Sequence, residues 1–197
     1  MSVGGVGGAG GVGGVAGVVL AAGAGRRFGG PKALVELDGV RLVDRAVATL
    51  AEGGCEPVLV VAGAAPLAVE GAVVVDNPDW ESGMGSSLRT ALAHLADAPA
   101  SAVVVLLVDT PWVGPEAVRR LLAAHDAGAV AAQAFYAGVP GHPVLLSREI
   151  WTEVAASSTG DQGARPWLLG HPDAVVAVDC DGTGDPQDVD RPSDLPS

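Results

Sequence analysis

The sequence predicts an α/β chain, a Rossmann-like three-layer α/β/α sandwich on a mostly parallel sheet, and three observations predict it. Short runs that are apolar at every position recur at 18–22, 57–62 and 102–108, as strands buried on both faces require. Segments with apolar residues at the 3.6-residue period, such as 41–50, alternate with those runs. The connections are short and rich in Gly, Pro and Asp, which favours strand–helix–strand units over separate domains. At 197 residues and 49% hydrophobic content the chain can bury one full core, so a single domain over 17–197 is expected behind a flexible Gly-rich leader, 1–16.

Taken in order, glycine at the density of residues 1–16 carries too much chain entropy to order by itself, and the stretch lacks the cationic start of a secretory signal. The first strand, 18–22, is closed by Gly23. In the helix 41–50, Leu42, Val43, Ala46, Val47 and Leu50 share a face, and Gly53-Gly54 supply the stop. Strands follow at 57–62 and 72–75, then a helix at 86–95 with Ser86 or Ser87 at its start. The run 102–108 is the most strand-like and ends at Asp109-Thr110-Pro111. A helix at 115–125 and a strand at 130–136 lead into a Gly/Pro loop, a short strand at 143–146, helices at 148–156 and 163–169, and a last strand at 174–179.

Composition excludes several classes of function. The net charge of -12, with 11 Lys and Arg against 23 Asp and Glu, opposes a nucleic-acid binder that neutralises phosphates with a broad basic face. No apolar run approaches the ~18 residues that span a bilayer, so no membrane role is expected. Cys55 and Cys180 make neither a disulfide framework nor a metal-binding spacing, which points to a reducing cytoplasm. The distribution of charge says more: residues 1–35 hold no acid, and their cations are Arg26, Arg27 and Lys32, the last being the only lysine in the chain. A lone ammonium among arginines is either a chance survivor or a group chosen for phosphate.

In an open α/β sheet, ligands bind beyond the carboxyl ends of the strands, where the loop 23–32 emerges. Small residues there let backbone N–H groups approach phosphate oxygens, and the three cations supply charge. Two common cradles fail on identifiable residues. A dinucleotide fingerprint needs a helix that Pro31 interrupts and an acid after the second strand, where the chain is Ala-Gly-Ala-Ala. A P-loop needs Gly-Lys-Ser or Gly-Lys-Thr, and here Pro31 precedes Lys32 while Ala33 follows it. Asp109, at the end of an all-apolar strand on the same edge, either caps the turn that follows or holds Mg2+ against a polyphosphate.

The loop does match L-A-A-G-x-x-x-R-x-G-x-x-K, through Leu20-Ala21-Ala22-Gly23, Arg27, Gly29 and Lys32. Further segments are Asn77-Pro78-Asp79-Trp80 with Gly83-Met84-Gly85-Ser86-Ser87-Leu88, Gly141-His142-Pro143-Val144-Leu145, Gly160-Asp161-Gln162-Gly163-Ala164-Arg165, and Asp188-Val189-Asp190-Arg191-Pro192-Ser193-Asp194-Leu195. With these the chain, from about Val18 to Leu195, resembles the MobA-like NTP transferases, and within them the molybdenum cofactor cytidylyltransferases. It departs from their pattern at Val108-Asp109-Thr110-Pro111, usually closer to G-D-Q-P, and at Arg191 and Ser193, usually Thr and Glu.

The resemblance implies a nucleotide-diphospho-sugar transferase type of fold and a cytoplasmic, Mg2+-dependent transfer of CMP from CTP to molybdenum-bearing molybdopterin. A molybdenum hydroxylase would receive the product. It assigns nucleotide binding to Leu20, Ala21, Ala22, Gly23, Ala24, Gly25, Arg27 and Lys32, with Gly83, Ser86 and Ser87 toward the base. Arg27 and Lys32 would meet charge on the pyrophosphate, and metal would sit on Asp109 with Asp190 in preference to Asp188. His142, Asp161 and Arg165 would contact the acceptor, although His142 could equally order a turn and Arg165 pair with Asp161. Trp80 and Met84 are read as packing residues. Guanylyl transfer, another phosphorylated acceptor, or a non-catalytic nucleotide-binding module are the alternatives.

Overall fold

The computed structural model describes residues 13–195. The order is β1 (Val15–Leu20), β2 (Glu36–Leu37), β3 (Val40–Arg41), α1 (Leu42–Glu52), β4 (Val58–Ala62), β5 (Val73–Asp76), α2 (Met84–His94), β6 (Ala102–Leu107), α3 (Pro115–Asp126), β7 (Ala131–Tyr136), β8 (Val139–Ser147), α4 (Trp151–Ser157), α5 (Arg165–Gly170) and β9 (Val175–Asp179). Seven strands form one sheet in the order β5-β4-β1-β6-β8-β7-β9, in which β8 alone runs antiparallel to its neighbours.

Alternation along the strands builds two cores. Val19, Val60, Val104 and Leu106 face α1 and α3, whose Leu42, Val47, Leu50, Val118 and Leu121 cover them. Val18, Leu20, Val61, Val103 and Val105 face α2, α4 and α5 through Leu88, Leu92, Trp151, Val154 and Trp167. Helices therefore cover both faces, the three-layer arrangement that runs of unbroken hydrophobicity require.

Several details differ from the sequence reading, among them the ribbon β2–β3, which it does not contain. The leader expected at 1–16 lies outside the described residues up to 12, while Val15 and Ala16 already belong to β1, which pairs Val15 with Ala102. Helix α2 starts at Met84 behind Gly83 rather than at Ser86. The Gly/Pro loop is the first half of β8: Ala137 and Gly138, both at positive φ, close a tight hairpin with β7, and the ladder shifts register between Gln133 and Phe135, where Pro143 has no N–H to offer.

Candidate active site

The site follows from one feature of register. Leu20 pairs with Leu107 at the carboxyl ends of the adjacent strands β1 and β6, so the loops that leave both strands emerge together. The loop after β1 is anchored first, by Ala21 N–H to Val61 O and Ala64 N–H to Ala22 O. It then folds around Gly25, whose carbonyl accepts from the N–H groups of Phe28, Gly29 and Gly30. Gly25 has φ +58 and an added Cβ would lie 1.9 Å from Gly30 O, so only glycine serves there. Lys32 opens a 3-10 turn whose Ala33 is buried against α1, which fixes the lysine's backbone.

Lys32 projects from that turn into a three-charge cluster. Its Nζ donates to Asp109 Oδ2 at 2.9 Å and to Asp190 Oδ1 at 2.7 Å, with 14% of the lysine side chain exposed. Burial alone would lower the ammonium's pKa, but the hydrogen bonds to Asp190 and Asp109 outweigh it and hold the pKa above its ordinary value. The Lys32 hydrogen bond in turn holds the Asp190 carboxyl below the usual carboxylate range. Arg27, largely exposed, reaches Asp190 Oδ2 at only 3.4 Å.

Asp190 arrives from the far end of the chain on a strap that is pinned at three points. Val189 is fully buried and donates its N–H to Asp109 O at 2.8 Å. The N–H groups of Asp190 and Arg191 donate to Asp194 Oδ2 at 2.9 and 2.7 Å. Asp188 is exposed and does not line the cleft, because Val189 takes the inward position and turns its neighbour outward.

Around the cluster lies an open cleft of about 420 Å³. Leu20, Ala22, Gly23, Ala24, Gly25 and Lys32 line one wall, with Arg26 and Arg27 beside them. Ala21 does not take part; it is buried in the core on the α1 side of the sheet. Trp80, Gly83, Met84 and Ser87 form the opposite wall. Trp80 packs so closely on Gly63 that a Cβ there would lie 2.6 Å from the Trp80 Cβ. Gly83 adopts φ +107, and a Cβ would meet Gly160 backbone at 2.4 Å, so this glycine lets the 160–161 turn close over the start of α2.

Ser86, expected toward a base, is consumed internally. Its hydroxyl donates toward Gly83 O and Asp79 O and accepts from Asn77 Nδ2 at 2.8 Å, while the same amide donates to Ser87 Oγ at 3.0 Å. The buried Asn77 thus ties the β5 end to α2, and Ser87 is the serine left on the cleft. Trp80 and Met84, read from sequence as packing, line the cleft as well.

A second cavity of about 500 Å³ adjoins the first and shares Leu20, Met84 and Asp161 with it. It brings together His142 from β8, Asp161 and Arg165, the three residues expected at an acceptor. No ion pair joins Arg165 to Asp161 among the described residues. Desolvation holds the His142 pKa below its ordinary value, partly offset by the backbone carbonyl of Val105.

The residues present fit a hard divalent cation. Asp109 Oδ1 is the one buried side-chain polar atom without a hydrogen-bond partner among the described residues, a vacant oxygen ligand beside Asp190. No cluster of three or more His, Cys, Asp or Glu is placed for a metal among those residues. Two carboxylates with phosphate oxygens and water completing the shell is the habit of Mg2+, and not of zinc.

A glycine-rich loop, a lysine between carboxylates at the carboxyl edge of a Rossmann-like sheet, and an adjoining second cavity make one connected candidate site. The chain belongs to the MobA-like NTP transferase family, whose domain matches residues 17–175. It is 39% identical to nicotine blue oxidoreductase of Paenarthrobacter nicotinovorans over 88% of this chain and 90% of that one. It is 35% identical to the molybdenum cofactor guanylyltransferase of Rhodobacter capsulatus over 90% and 91%. Among solved structures it is similar to Rv0371c of Mycobacterium tuberculosis H37Rv, at TM-score 0.77 and 30% identity over 93% and 96% of the two chains. A manganese complex of Rv0371c aligns at TM-score 0.74 and 31% identity over 92% of this chain and 95% of that one. No helix among the described residues is long and apolar enough to cross a membrane.

Proposed function

We propose that the protein transfers CMP from CTP to the terminal phosphate of molybdenum-bearing molybdopterin and releases pyrophosphate. The observation that supports this best is Lys32 held between Asp109 and Asp190 under the glycine loop, one shared wall away from the second cavity. An oxygen of the acceptor phosphate attacks the α-phosphorus as the bond to the bridging α–β oxygen breaks, and the electron pair leaves on pyrophosphate. The loop N–H groups and Lys32 hold the triphosphate, and Arg27 joins Lys32 in meeting charge on the leaving group. Mg2+, on Asp109 and Asp190, supplies neutralisation of phosphate charge when bound. His142, Asp161 and Arg165 face the acceptor.

The similarity to nicotine blue oxidoreductase favours a second reading, in which these cavities serve a redox reaction instead of transfer. One pair of assays separates the two. Purified protein is given each NTP with Mg2+, with and without isolated molybdopterin, and pyrophosphate is measured; in parallel, NADH or NADPH oxidation is followed with a quinone-type dye. Acceptor-dependent pyrophosphate release from CTP is expected. Dye reduction without pyrophosphate from any NTP replaces transfer by the redox reading.

A further inference from the structure

Two polar side chains of the second cavity carry chemistry beyond holding a phosphate. Gln133 on β7, opposite Val144, and His142 on β8, in the stretch where the ladder shifts register, both line this cavity. The cavity around them is otherwise largely apolar, with Leu88, Val105, Val144 and Leu168 in its wall.

A backbone carbonyl orients each of them. Gln133 Nε2 donates to Gly141 O at 3.3 Å, and His142 Nδ1 lies 3.3 Å from Val105 O. A carbonyl oxygen only accepts, so the hydrogen of the imidazole is on Nδ1 and the lone pair is on Nε2; by the same argument the Gln133 amide turns its Oε1 away from Gly141. Desolvation lowers the pKa of the ring. Neither Nε2 nor Oε1 has a protein partner, and since Asp109 Oδ1 is the only fully buried unpartnered side-chain atom among the described residues, both open onto the cavity. The cavity thus offers two hydrogen-bond acceptors fixed by the fold, and its donors, such as Arg165, come from a different element.

We propose that His142 Nε2 and Gln133 Oε1 act together to read a flat heterocycle that presents two neighbouring N–H donors, the edge of an amino-lactam. The proposal rests on this cavity being the acceptor's place. A ring with a carbonyl where the amine should be sets oxygen against acceptor, and the loss is that of a buried group left unpaired.

Two fluorescent probes test it on the full chain: pterin, which carries the amino-lactam edge, and lumazine, which has a carbonyl in place of the amine. Wild-type protein is expected to bind pterin at least ~10-fold more tightly than lumazine. His142→Phe and Gln133→Leu, both close in bulk, should each weaken pterin and bring the ratio toward one. Equal binding of the probes, binding of neither, or discrimination that survives in both variants overturns the proposal. Transfer is scored separately by pyrophosphate, so pterin discrimination without pyrophosphate release upholds this pair and removes only the transfer reading.

Discussion

Lys32 is hydrogen-bonded to carboxylates that lie 77 and 158 residues away in sequence, so its ammonium already occupies a position of concentrated negative charge before any triphosphate arrives. One preorganised charge at a developing oxyanion is worth about 100-fold or more in rate, and Lys32→Ala should lose that much turnover at saturating NTP while staying folded. Lys32→Arg should recover only part, because a planar fork does not fit between Asp109 and Asp190 as an ammonium does. Near wild-type turnover in the alanine variant would remove the phosphate role. The cluster also carries a modest stability term with a definite sign. Asp190, with its pKa depressed, contributes above the ordinary carboxylate value and loses that contribution as pH falls through its lower native value; Lys32 contributes below the ordinary ammonium value and loses it as pH rises through its raised native value. The stability gap between wild type and Lys32→Ala should therefore be flat between roughly pH 5 and 9 and close on either side, and small throughout because Asp190 is partly exposed. Asp109→Asn and Asp190→Asn should each abolish metal-dependent transfer, and Asp188→Asn should leave most of it, since Asp188 stands outside the cleft. Loss confined to the Asp188 variant would reverse the choice within the pair.

The strap that carries Asp190 is held by the Val189 backbone bond to Asp109 and by a 3-10 turn at Pro192–Asp194, which the Asp194 side chain closes through its contacts with the Asp190 and Arg191 N–H groups. Asp194→Ala should free Asp190 and weaken Mn2+ binding by about 10-fold, roughly 1.4 kcal/mol, with little change in thermal stability because Arg191, Pro192 and Ser193 are exposed. Asp194→Asn, which keeps one acceptor oxygen, should restore part of it; unchanged Mn2+ titrations in both variants would show that the strap orders itself. Elements of this kind mark the limit of what sequence makes legible. The strands β1, β4 and β6 and the helices α1 and α3 were readable because burial on both faces, or on one face at helical period, is written directly into residue type. The two-strand ribbon β2–β3 and the hairpin into β8 were not, since Ala-Gly is a weak hairpin signal and Pro140 and Pro143 argue against a strand until the register shift beside them is known. At the site, the loop residues, Lys32 and Asp109 were visible from chemistry and place in the fold, whereas Asp190 was selected by resemblance alone. The inward turn of Val189, the internal use of Ser86 and the exposure of Gln133 to the second cavity depend on contacts between elements remote in sequence, which no local pattern encodes.

The described residues form one seven-stranded sheet with the ribbon β2–β3 and two cores, and the candidate cleft draws on both: Ala33 beneath the glycine-rich loop belongs to the α1 core, while Leu20 and Met84 belong to the α2 side. A nucleotide bound there should stabilise the domain as a single cooperative unit rather than one lobe of it. At a concentration 100 times its Kd, the gain is about 2.7 kcal/mol, which for a domain of this size raises Tm by roughly 5 to 10 °C. The base should decide which nucleotide achieves this. Trp80 packs on Gly63 close to Ala22, whose methyl narrows the wall relative to glycine, and Ser87 rather than Ser86 is left to hydrogen-bond the ring. A methyl-sized change in shape discriminates by only about 1 to 3 kcal/mol, so a larger preference has to come from a polar group left unpaired by the wrong base. CTP should therefore raise Tm at lower concentration than GTP, with at least a ~10-fold preference in kcat/KM. Ala22→Gly should relax that preference in part and Ser87→Ala further, while Ser86→Ala should lower Tm without altering it. Equal thermal shifts and equal turnover with GTP and CTP would replace the cytidylyl reading with the guanylyl one, the activity named for the Rhodobacter capsulatus relative.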